Sequence, residues 1–203
     1  MSLKIIPGPN NGLITESLAV PPQYKILADS ADTASYALTA SYALDSFKHW
    51  GTWYSTATQT ASLIDTAYPI TVNTLGGPQN AFYISGSGGS IVSGSAIVIP
   101  KTSNYDFQFS LQLYNTGGGG ATAVANIWLR LNGNTVPHSN TRVAVIANSP
   151  YVVAAWDFMG RYDSGDKLEL MWATNHAGIQ IVTLPPSSPA PETPSVIYTI
   201  MEI

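Results

Sequence analysis

The sequence predicts an all-β fold, an antiparallel two-sheet sandwich, on three observations. Short runs rich in β-branched and aromatic residues recur from Trp50 onward; Gly, Pro and Asn separate them; and no longer stretch carries a helical period. The clearest run is 105–113, a strict alternation that puts Tyr105, Phe107, Phe109, Leu111 and Leu113 on one face and Asp106, Gln108, Ser110 and Gln112 on the other. Further runs follow at 91–99, 125–131, 142–147, 151–158, 167–172, 179–184 and 196–203. The turns are explicit: Asn132-Gly133 has the residue types of a two-residue hairpin, and Ser164-Gly165-Asp166 and Gly117–Gly120 are loop formers.

Two runs are apolar on both sides. In 196–203, Val196, Tyr198 and Ile200 share one face while Ile197, Met201 and Ile203 share the other. In 167–172, Met171 lies opposite Leu168, Leu170 and Trp172. A sandwich strand in a monomer needs one apolar face, so the second predicts a neighbour lying over the sheet.

Composition points the same way. Of the 203 residues 45% are hydrophobic, which excludes wholesale disorder, but only 10% are charged. A surface built from Ser, Thr, Asn, Gln and Gly resists association poorly, which favours oligomerisation or docking. The net charge of −4, without a basic run, argues against nucleic-acid binding. No apolar stretch is long enough for membrane insertion, and the opening residues lack signal-peptide features. With no cysteine there are no disulfides and no thiolate metal sites.

Ahead of the predicted head (48–203) stand two segments. Residues 1–27 form a Pro- and Gly-rich arm that should not fold alone. Ordering it costs roughly 1–2 kcal/mol per residue in backbone entropy. Contacts of Ile5, Ile6, Leu13, Ile14, Ile26 and Leu27 with a particle surface or with sister chains would offset that cost, so these are the candidate anchor residues. Residues 28–47 form an Ala-rich stalk in which Ala-Ser-Tyr-Ala-Leu recurs after six residues. On an extended chain Tyr36, Leu38, Tyr42 and Leu44 share a face, and a small residue at every third position suits three chains about one axis. A short Ala-rich helix is the competing reading.

The order Ile97-Val-Ile-Pro-Lys101, Tyr105-Asp-Phe-Gln-Phe-Ser-Leu111, Ile127-Trp-Leu-Arg-Leu-Asn-Gly133 and Ser164-Gly-Asp-Lys-Leu-Glu-Leu170, closed by a terminal apolar strand, resembles the C1q/TNF-like jelly roll. Val136-Pro137, Ser139-Asn-Thr-Arg-Val143, Tyr151-Val-Val-Ala-Ala-Trp156 and Pro194-Ser-Val-Ile197, with the Ala-Ser-Tyr-Ala-Leu repeats, resemble tailed-bacteriophage structural proteins more closely. The resemblance covers about residues 28–203 and implies a ten-stranded jelly roll in a homotrimer, with the first strand, the last strand and the Tyr105 strand at the threefold axis. The expected trimer interface is Val196, Ile197, Tyr198, Met201, Ile203, Gln108 and Met171. The implied function is a non-enzymatic virion protein, a capsid decoration, head fibre or short tail appendage, whose arm joins it to other virion proteins. The alternatives are a receptor-binding tail protein that recognises a host surface glycan or protein, and a glycan-hydrolysing spike.

Candidate chemistry is thin, and no cofactor is expected. His49, His138 and His176 lack the local spacing of a zinc site. Asp157, Asp163, Asp166 and Glu169 form the one acidic cluster, readable as glycosidase carboxylates or calcium ligands, but more simply as turn and surface residues. Trp50, Trp53, Trp128, Trp156 and Trp172 could form a sugar-stacking platform, although core and interface are commoner uses. Arg130, Arg142 and Arg161 are candidates for ion pairs across a subunit boundary.

Overall fold

The computed structural model describes residues 48–77, 82–85, 93–117, 123–147 and 151–203. The chain divides into two units, Met1–Phe47 and Lys48–Ile203, and the description concerns the second. The stalk residues Tyr36, Leu38, Tyr42 and Leu44 and the anchor residues Ile5, Ile6, Leu13, Ile14, Ile26 and Leu27 lie outside the described residues.

The first strands are β1 (Trp50–Ser55), β2 (Gln59–Thr60), β3 (Tyr68–Pro69), β4 (Thr74–Leu75), β5 (Tyr83–Ser85), β6 (Ala96–Val98) and β7 (Ser103–Asn115). There follow β8 (Val124–Leu131), β9 (Asn134–Thr135), β10 (Thr141–Ala144), β11 (Val152–Tyr162), β12 (Lys167–Thr174), β13 (Ile179–Ile181) and β14 (Val196–Glu202). All pairings are antiparallel, and the described residues contain no helix.

In the first sheet β14 is hydrogen-bonded to β1 on one edge and β7 on the other, and β11 pairs along the far edge of β7. In the second the order is β10-β8-β12-β6-β5. Following the chain, β1, β7, β11 and β14 fall in one sheet and β6, β8, β10 and β12 in the other. Strand orders β1-β14-β7-β11 and β6-β12-β8-β10, with the chain crossing repeatedly between sheets, make this a jelly roll.

The alternation in β7 sets the core. Tyr105, Phe107, Leu111 and Leu113 are wholly buried between the sheets, with Phe109 nearly so. They meet Val196, Tyr198 and Ile200 of β14 and Trp53 of β1 on the same side, and Leu168, Leu170 and Trp172 of β12 from the other sheet. Phe107 packs edge-on to Tyr198 at 5.3 Å between ring centres, and Phe109 to Trp156 at 4.6 Å. Tyr198 keeps its hydroxyl satisfied by donating to the Ile70 carbonyl at 3.0 Å. At Gly51 an added Cβ would lie 2.4 Å from the Trp53 ring, so the bare backbone there makes room for the indole.

The hairpin read at Asn132-Gly133 is present: both residues have positive φ, 51° and 84°, and the turn joins β8 to β9. Two strands run further than their apolar patterns. The 105–113 run becomes Ser103–Asn115, and the 151–158 run becomes Val152–Tyr162. Continuous pairing of β11 with β7, from Val152–Leu113 to Tyr162–Ser103, carries the ladder through Gly160 and Arg161, which the pattern alone excludes. Between β13 and β14 the chain makes a Pro-rich excursion, pinned by the bridges Leu184–Thr193 and Ser187–Ala190.

The register of β7 gives a direct stability test. Truncating Phe107 or Phe109 to Ala removes a buried aromatic and should cost about 3–5 kcal/mol, as read by urea unfolding. Gln108→Ala, on the exposed side, should cost less than either, about the 1–3 kcal/mol of the hydrogen bond that Gln108 Nε2 donates to Asp106. Equal losses for all three would contradict the register.

Candidate assembly interface

The first sheet turns one side to the core and the other to the outside. On that outer side the strand registers align side chains in rows. One row runs Trp50, Met201, Asp106, Met159; the next Thr52, Thr199, Gln108, Asp157; the third Tyr54, Ile197, Ser110, Ala155. Gln112 and Val153 continue the pattern, and Tyr114 packs against Tyr151 beyond them at 5.0 Å. Trp50, Met201, Met159, Ile197, Val153 and Ile203 are all among the exposed large hydrophobic residues, with Met159 reaching 69% exposure. Single exposed apolar side chains are ordinary, but several large ones gathered on one sheet face, here interleaved with the polar row Thr52, Thr199, Gln108 and Asp157, point to a contact surface. Beside Ile197 the face dips into a groove of about 410 Å³ between Tyr54 and the Pro191–Pro194 stretch.

The expected interface residues divide. Ile197, Met201, Ile203 and Gln108 are exposed, the β-strand residues among them on the outer side of this sheet. Val196 and Tyr198 are fully buried in the chain's own core, so their place in the expected interface is corrected. Alternation forces this: a single strand cannot offer both faces to a neighbour when one already closes the sandwich. Met171 is corrected too. It belongs to β12 in the other sheet and is 1% exposed. Trp50, Met159 and Val153 are the additions; the two-faced pattern of β11 could have flagged the last two, because Val153 and Met159 are apolar residues on its outward parity.

Asp106 is the anomaly of the face. It is 7% exposed, and its Oδ2 accepts from Gln108 Nε2 at 2.7 Å, while its buried Oδ1 has no hydrogen-bond partner. Leaving a buried acceptor unsatisfied costs about 1–3 kcal/mol, more for a charged group.

The remaining candidates are taken up by structure. Arg130 makes a bidentate pair with Glu169, Nε to Oε2 at 2.8 Å and NH2 to Oε1 at 2.9 Å, so its charge is matched inside the chain instead of across a boundary. Asp166 accepts from Asn132 and from the Asp163 backbone, which makes it a turn residue. Asp157 lies on the outer side of the first sheet and Glu169 in the second, so the acidic residues do not converge. Among the described residues no group of three potential metal ligands is present. The tryptophans form no platform: Trp53 and Trp172 are core, Trp50 is on the first sheet's outer side, and Trp128 is in the second sheet. His176 Nδ1 accepts from the Gly178 backbone, and His138 sits at a positive φ in an exposed turn.

His49 and Glu202 clamp the start of β1 to the end of β14. The carboxylate accepts from His49 Nδ1 at 2.6 Å and from the His49 backbone at 3.2 Å, and Lys101 Nζ lies 3.8 Å away. Burial opposes ionisation of Glu202, but hydrogen bonds from the His49 ring, Ser103 and the His49 backbone outweigh it and hold the carboxyl down at about 2. Nearby, burial and then the Glu202 charge push Tyr105 up to about 12.

No protein-family model and no curated protein matches the sequence. Among solved structures the chain is similar to the crystal structure of murine APRIL, with 7% identity, a TM-score of 0.47, and coverage of 77% of this chain and 100% of that one. The jelly-roll assignment rests on the strand order described above and not on this distant likeness.

The depressed Glu202 carboxyl sets an acid limit. Its contribution to stability is complete above the ordinary value of 4.5 and lost as pH falls through about 2, on the order of 1–3 kcal/mol in all. Glu202→Gln should therefore unfold at lower urea than the parent at pH 6, and the gap should close between pH 4.5 and 2. A gap that is the same at both ends would contradict the clamp.

Proposed function

We propose that the chain is a non-enzymatic structural protein of a tailed-bacteriophage virion: a homotrimer that displays its jelly-roll head from the particle and is held there by residues 1–27. The observation that carries the reading is the outer side of the first sheet, where Trp50, Met201, Met159, Ile197 and Val153 stand exposed on adjacent strands. Three copies that turn this side toward a common axis remove it from water, at about 25 cal/mol per Å² of apolar surface. A cyclic arrangement also closes on itself, so the face is consumed without propagating a fibre.

The virion role is supported by the resemblance of residues 28–203 to phage structural proteins and by the composition of the arm. It also fits a head in which Glu169, Glu202, Asp166, His49 and His176 are engaged in ion pairs, a clamp and turns. The full chain should scatter light as three copies at micromolar concentration. Deleting residues 2–27 should leave that trimer intact and abolish its sedimentation with particles lacking the native copy. A monomeric full chain would overturn the trimer; co-sedimentation of the truncated protein would overturn the arm as anchor.

A further inference from the structure

The outer side of the first sheet is not uniformly apolar, and its one buried charged group is incomplete. Asp106 stands in register between Met201 of β14 and Met159 of β11, is 7% exposed, and has a buried Oδ1 without a donor. Nothing else among the described residues supplies that donor. The register neighbours Met159 and Met201 and the adjacent Gln108 are exposed, unbranched side chains, free to rearrange when a neighbour packs on this face.

The chain's cations narrow the source. Of the eight Lys and Arg residues, Lys4 and Lys25 lie outside the described head. Lys101 lies by Glu202, Arg130 is held by Glu169, and Lys48 has an interaction of its own. Lys167 and Arg142 belong to the second sheet. That leaves Arg161, on the outward parity of β11, exposed, opposite Asn104, and in no ion pair among the described residues. It stands on the same side of the same sheet as Asp106, only a diagonal step away in the ladder, and yet the two form no ion pair within one chain.

We propose that Arg161 of one copy donates to Asp106 Oδ1 of the next, so that each head is complete only within the assembly. The inference rests on the trimer reading and names its polar contact. In the proposed assembly β11 of one copy, paired only with β7 in its own sheet, meets β7 of its neighbour, and a guanidinium is suited to a desolvated carboxylate because it is planar and weakly hydrated. An apolar face alone tolerates sliding; one charged pair among methionines sets which rotation of the copies is allowed, since any other leaves the carboxylate unmatched.

The test is subunit exchange between full-length chains carrying two fluorophores on their N-terminal amines, with light scattering for stoichiometry. Arg161→Ala removes an exposed side chain and should fold normally while speeding exchange at least about 30-fold. Arg142→Ala, the same change of charge on the other sheet, should exchange as the parent does. Asp106→Asn should also speed exchange, and combining it with Arg161→Ala should add little to either single change. Should Asp106→Asn lose its native circular dichroism, the Arg161 and Arg142 variants decide the matter by themselves. Parent-like exchange in Arg161→Ala, or equal acceleration in Arg142→Ala, overturns the pair and leaves the trimer standing. A parent chain that scatters as a monomer overturns the trimer, and the pair with it.

Discussion

β14 is hydrogen-bonded along both edges, to β1 and to β7, and the rest of the head is arranged around that position. With its ladders filled, the strand interacts with the rest of the molecule through its two faces. Val196, Tyr198 and Ile200 close the core; Ile197 and Met201 point the other way, where the chain has no third layer among the described residues to receive them. The same constraint runs through β11, whose outward Val153 and Met159 are exposed, and through β1, whose Trp50 is. A two-layer fold offers each strand one interior, so a central strand with two apolar faces asks for a second copy or another partner.

The polar residues show the complementary logic. Charged groups are few, and several of those in the head are matched locally: Arg130 with Glu169, Glu202 with His49, Asp166 with Asn132 and the turn it closes. Asp106 departs from the pattern, and it does so on the face that no further layer of the described residues covers. The unmet apolar area and the unmet acceptor therefore point to one surface.

Much of this was legible in the sequence wherever a residue's burial follows from alternation. The core of β7, the Asn132-Gly133 hairpin and the two-sided β14 were read from pattern alone. Two-residue strands such as β2, β3, β4 and β9 were not, because tertiary pairing and not composition defines them. Val196, Tyr198 and Met171 were assigned to the interface because sequence shows that both sides of a strand are apolar without showing which one the chain itself covers. The Arg130–Glu169 pair was equally out of reach: it depends on β8 lying beside β12, a register that residue types do not encode. Asp106 reads in sequence as an ordinary outward polar residue, and only its burial with an unpartnered Oδ1 sets it apart.

Peroxide oxidation of the native full-length protein, read by peptide mass, tests the covered face most directly. The chain has four methionines, and two of them bracket Asp106 on the outer side of the first sheet, where a lone chain leaves Met159 69% and Met201 45% exposed. Met171, at 1% exposure, reports a buried thioether, and a short methionine peptide added to the same reaction reports an open one. If the face is shared between copies, Met159 and Met201 oxidise as slowly as Met171 and become reactive only when the assembly is dissociated. If they oxidise in the native protein at the rate of the added methionine peptide, the face is open to water and the account is wrong.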